Sequence, residues 1–170
     1  MTRGDLLYKW FWYAMALVPV WLAEAVIFTR FPILGLRPML LPLAAVTVAV
    51  LEGAVAGAGF GLGTGLLWST VLGPSGVPMV FVLALAGALV GAASQYGLKQ
   101  SFPGCLLCSF GLLGGIDLLR ILSRLTGNAA PFVPMLKLAA SEILISLIFT
   151  VPVYLLFQKV YSKVGGTKLM

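Results

Sequence analysis

Apolar positions along this chain run together rather than alternating with polar ones. From Gly53 to Leu98 there are 46 residues without a single Asp, Glu, Lys or Arg. As one helix that run would reach roughly 69 Å at 1.5 Å per residue. The hydrocarbon core of a bilayer is only about 30 Å thick, so the run must cross twice. Gly73-Pro74-Ser75-Gly76-Val77-Pro78 supplies the turn. The pattern thus predicts helices at about 53–72 and 77–98.

Four more helices follow from the remaining apolar runs. The first, about 10–28, opens on Trp10, Trp12 and Tyr13, which read as an interfacial aromatic belt. Lys9 and Arg30 bracket it and Glu24 lies inside it. It lacks a small-residue cleavage pattern, so it reads as a retained helix rather than a signal peptide. In the second, Pro38 to Leu51 is 14 residues, about 21 Å of helix and too short to cross. It either begins earlier, near Ile33, which gives 33–51 and puts Arg37 one turn inside, or sits in a locally thinned bilayer. Glu52-Gly53 then makes a very tight turn. The fifth helix covers about 102–125 and carries Asp117, Arg120 and Arg124 toward its end, where Gly127 terminates it. The sixth covers about 133–157, with Lys137 and Glu142 near its start, and leaves Lys159, Lys163 and Lys168 to a tail.

Composition agrees with this reading. Of the 170 residues, 61% are hydrophobic and 9% charged, too few charges to coat a soluble globule. Low charge and high hydrophobicity also exclude a disordered chain. The fold expected is an all-α membrane protein, one domain built as a six-transmembrane-helix bundle. With no His, histidine metal sites, Ser-His-Asp triads and histidine proton switches are excluded. Cys105 and Cys108 spell CxxC in an apolar helix with no second ligand pair, which reads as small packing residues. No cofactor is implied. The net charge of +6 is scattered between apolar runs, unlike the dense patches that bind nucleic acid. It reads as orientation signals, and the positive-inside rule places both termini in the cytoplasm.

Two residue sets are candidates for function. Gly53, Gly57, Gly61 and Gly65 recur every four residues along one face of the third helix, with Gly59 and Gly63 widening the stripe. Gly87 and Gly91, flanked by alanines, offer a matching face on the fourth. Small residues let helices approach closely in lipid, either within the bundle or against a partner protein. The second set is charged: Glu24, Arg37, Asp117, Arg120, Lys137 and Glu142 all fall in the leaflet away from the termini. Charges at membrane depth are costly, so these should face inward and pair. They serve either as structural pairs or as a polar pocket, partner contact or ion path. No set of acids, bases or metal ligands has a spacing suited to catalysis.

The stretch from Arg37 to about Gly97 resembles the MreD family of bacterial rod-shape-determining membrane proteins. The resemblance rests on Arg37-Pro38, Leu51-Glu52-Gly53, the glycine-rich run Gly57 to Gly65 followed by Leu66-Leu67, and Gly73-Pro74-Ser75-Gly76 leading to Gly87 and Gly91. It covers about a third of the chain. That family often carries acids where this chain has Met39 and the Trp68-Ser69-Thr70 segment, so no role tied to those acids carries over. The resemblance implies a non-enzymatic multi-pass protein of the bacterial cytoplasmic membrane. Its partners would be membrane lipid, an MreC-like protein, the actin-like MreB and the peptidoglycan synthases of the elongation machinery. The family is also similar in fold to the substrate-binding subunits of energy-coupling-factor vitamin transporters. That similarity supplies an alternative function, although Ala14, Ala16, Ala23 and Ala25 are not spaced four apart as such subunits often have them. A small proton- or ion-coupled transporter using Glu24, Asp117 or Glu142 is a third reading.

Overall fold

A computed structural model describes residues 3–31, 36, 38–72, 77–96, 102–126 and 132–164. Among these the protein is all-α, with six helices. Helix α1 runs as Arg3–Leu22, continues through a π-helical turn at Ala23–Ile27 and ends in Phe28–Arg30. The others are α2 (Leu40–Glu52), α3 (Ala54–Leu72), α4 (Val77–Tyr96), α5 (Phe102–Thr126) and α6 (Phe132–Val164). Four stretches, Leu7–Arg30, Pro78–Gln95, Phe102–Leu122 and Met135–Val164, are long and apolar enough to cross a membrane. The chain is a multi-pass helical membrane protein.

The short helix α2 is the hub. Every residue from Leu40 to Leu51 is buried. It touches all five other helices. This explains a sequence with apolar residues on every face, which marks a helix surrounded by protein or lipid on all sides. It also corrects the expected second helix at 33–51. Pro38 and Met39 are not helical, Met39 is extended, and the helix starts at Leu40. Its 13 residues make about 20 Å, so α2 need not span the bilayer: it sits inside the other helices.

The turn out of α2 is made by one residue. Gly53 has φ +93°, a conformation that side-chain-bearing residues rarely adopt, and its N–H donates to the Ala49 carbonyl at 2.9 Å. The chain then reverses straight into α3. Helices α3 and α4 form an antiparallel hairpin with backbone-to-backbone contact. A Cβ on Gly57 would lie 2.5 Å from the Gly87 carbonyl oxygen, and one on Gly65 would lie 2.7 Å from the Val80 Cα. Gly61 meets the Leu83 carbonyl, and Gly91 meets the backbone of Gly53 and Ala54. Gly59 and Gly63 do not widen this stripe: nothing lies within 4 Å of either Cβ position. Two residues along a helix is a rotation of about 200°, which puts them on the opposite, outer face.

Two other expectations shift. The aromatic belt is partly core. Tyr13 is 1% exposed, and its ring packs at 6.2 Å from both Phe60 and Phe157. Lys159 and Lys163 do not lie in a tail, because α6 continues to Val164. The expected loop Gly73–Gly76, the terminator Gly127 and Lys168 lie outside the described residues.

Candidate functional site

The polar side chains gather at the two ends of α2, and the geometry is best built from that helix. The first turn of any helix leaves backbone N–H groups without intrahelical partners, and in a membrane interior no water is at hand to satisfy them. Here Glu24 does so. Its Oε2 accepts from the N–H of Leu40 at 2.9 Å and of Leu41 at 2.7 Å. The Ser146 hydroxyl of α6 accepts from the N–H of Met39 at 3.1 Å. A carboxylate at a helix N-terminus also meets the positive end of the helix dipole, worth up to about 2 kcal/mol when partly buried. The π-helical turn places Glu24. Its wider winding carries one extra residue, and the Thr29 hydroxyl donates to the Glu24 carbonyl at 3.1 Å.

Around Glu24 the cluster extends outward. The Trp68 side chain stands beside the Glu24 carboxylate. The Arg120 guanidinium lies over the Trp68 ring, 5.4 Å from its centre. An Arg120 nitrogen is 3.7 Å from Asp117 Oδ1 and 3.7 Å from Glu142 Oε2. So Glu24, Asp117, Arg120 and Glu142 come together, from α1, α5 and α6. Lys137 does not join them: its side chain is exposed, on the outward face of α6. Arg37 lies outside the described residues.

The other end of α2 carries a second clamp. Glu52 closes the helix, where a negative charge opposes the dipole. Lys9 of α1 pairs with Glu52 Oε2 at 2.5 Å, and the Tyr13 hydroxyl donates to Oε1 at 2.7 Å. Both charged side chains are more than nine-tenths buried. Lys9, Tyr13, Ala16, Leu17, Val20 and Glu24 share one inward face of α1. One helix therefore grips both ends of α2.

The six glycines Gly53, Gly57, Gly61, Gly65, Gly87 and Gly91 lie inside the bundle, at the α3–α4 contact or the turn that leads into it. Cys105 is buried and Cys108 half-buried, both as free thiols, with Cys105 Sγ 3.6 Å from the Thr47 hydroxyl. Among the described residues no three His, Cys, Asp or Glu side chains could share a metal ion.

Sequence reasoning missed Trp68 and the Lys9–Glu52–Tyr13 clamp. A signal for the clamp was present: Lys9 and Tyr13 are four apart, in register with Glu24 on the same helix face. Trp68 gave none, because a tryptophan in an apolar helix reads equally well as lipid-facing. No family model, curated protein or solved structure matches the chain.

Proposed function

We propose that the protein is a non-enzymatic scaffold of the MreD type. It would be a six-helix, multi-pass component of the bacterial cytoplasmic membrane with both termini in the cytoplasm. It would hold an MreC-like protein and the peptidoglycan synthases of the elongation machinery in place. One observation carries this reading: the charges of Glu24, Glu52 and Lys9 are spent on architecture. Glu24 caps α2, Glu52 is neutralised by Lys9, and α1 ties the two ends together. The outside of the bundle is apolar, with Leu62, Leu66, Phe81, Leu85, Leu89 and Phe110 all exposed. Such a body works by association within the membrane. Among the residues that carry the family resemblance, Gly53 makes a tight turn and Gly57, Gly61, Gly65, Gly87 and Gly91 pack a hairpin, as a rigid scaffold requires.

The vitamin-binding alternative needs a larger cavity. Pockets for drug-sized ligands measure roughly 300–1,000 Å³, whereas the one among the described residues at the charged end measures about 80 Å³. The test is co-expression with the MreC-like protein of the same genome, followed by purification on a tag carried by this chain. Stoichiometric retention of the MreC-like protein, with no thermal stabilisation by any member of a vitamin panel, is the expected result. Strong stabilisation by one vitamin with no MreC-like protein retained would overturn the scaffold reading.

A further inference from the structure

Two cations on the last turns of α6 take no part in bracing α2. Lys159 and Lys163 are exposed, and their spacing of four residues puts them on one helix face. Neither pairs with an acid among the described residues. Glu52 is buried and already held by Lys9 and Tyr13. Before Trp10 and after Phe157 the chain carries one acid, Asp5, against Arg3, Lys9, Lys159, Lys163 and Lys168. Lys163 reaches across to α1, where its Nζ lies 4.3 Å from the centre of the Trp12 ring. Tyr8 packs edge-on against the same ring, at 6.1 Å. A ring face covers one side of an ammonium and leaves N–H donors on the other. The α6 stripe then turns apolar: Leu155, four residues before Lys159, and Val151 are both exposed.

We propose that the adjoining faces of α1 and α6 at this end bind one anionic phospholipid, its phosphate at Lys159 and Lys163 and its acyl chains along Leu155 and Val151. Two neighbouring cations without a counter-charge select an anion, and basic side chains beside a bilayer draw anionic headgroups. The change from charged to apolar along one stripe of α6 selects a lipid over a soluble phosphate or an acidic protein segment, because only a lipid joins an anion to long apolar chains. The contact with Trp12 holds Lys163 in place, so less side-chain freedom is lost when the headgroup arrives. Arg30 and Lys137 are exposed toward the other end, but they sit on separate helices and no aromatic ring among the described residues lies beneath either.

The proposal needs only that the bundle sits in a membrane, so it holds whether or not the chain binds an MreC-like protein. Its test uses the purified full-length protein alone. The protein in detergent is titrated with phosphatidylglycerol or with phosphatidylcholine of the same acyl chains, and bound lipids are counted by native mass spectrometry. A lysine near a bilayer surface contributes about a fivefold preference for an anionic lipid, so the first phosphatidylglycerol should bind roughly tenfold or more tighter than phosphatidylcholine. Lys159→Gln with Lys163→Gln should bring the two lipids within about twofold of each other. Lys159→Arg with Lys163→Arg keeps both charges and should keep the preference, as should Arg30→Gln with Lys137→Gln. Equal binding of the two lipids by the wild type would overturn the proposal. So would a preference that survives in the Lys159→Gln, Lys163→Gln variant, or one that is lost in the Arg30→Gln, Lys137→Gln variant.

Discussion

At the scale of single residues, Glu24 shows how a costly buried charge becomes structural. Its carboxylate takes two backbone N–H groups at the start of α2, and no residue on α2 itself offers a capping side chain. Glu24→Ala should strand two buried donors at about 1–3 kcal/mol each, so a loss near 3 kcal/mol is expected. Glu24→Gln keeps an acceptor and should lose about 1 kcal/mol. Reversible unfolding in micelles distinguishes them, and equal losses in the two variants would contradict the capping role. The Lys9–Glu52 pair makes a different prediction. Lys9→Met or Glu52→Gln alone leaves the other charge buried and unpaired, at about 3–5 kcal/mol. The double variant should be closer to wild type than either single one, and a double-mutant cycle with no coupling would refute the pair. The sequence made Glu24 conspicuous as an acid inside an apolar helix. Its partner was not legible, because the natural expectation for a buried carboxylate is a cation. Here the partner is the bare start of a helix, whose position depends on the chain not becoming helical until Leu40.

At the scale of elements, the α3–α4 hairpin separates two glycine faces that are interleaved in sequence. Gly57→Leu and Gly61→Leu should push a side chain into the backbone of α4, costing about 1–3 kcal/mol or more. Gly59→Leu and Gly63→Leu should be neutral or slightly stabilising, since leucine favours helix over glycine by several tenths of a kcal/mol. The measurement is again unfolding in micelles, and destabilisation at Gly59 equal to that at Gly57 would refute the packing face. The four-residue repeat from Gly53 to Gly65 was legible because helical periodicity fixes which residues share a face. The length of α2 was not. An apolar run of 14 residues can be lengthened to a span or enclosed as a hub, and only the contacts from the other five helices decide between them.

At the scale of the whole molecule, the polar groups divide into two layers. Lys9, Glu52 and Lys163 lie at the end that holds the start of α1 and the end of α6, and Glu24, Asp117, Arg120 and Glu142 at the other. With Cys105 and Cys108 replaced by alanine, a cysteine at position 75 should react with an impermeant reagent from outside the cell. One at position 162 should react only after permeabilisation. The reverse pattern would invert the proposed orientation. The number of helices was readable from where charge is absent. The arrangement of five around one was not, since it arises from side chains far apart in sequence, such as Met39 and Ser146. The account as a whole claims that Glu24 and the Lys9–Glu52 pair hold a short central helix in place. Amide hydrogen exchange in lipid nanodiscs tests this most directly. Leu40–Glu52 should be among the most protected segments of the wild type, and Glu24→Ala should speed exchange at Leu40 to Ala44 about 100-fold while leaving the α3–α4 hairpin unchanged. A wild-type α2 that exchanges as fast as the first turn of α1, or an α2 indifferent to Glu24→Ala, would contradict it.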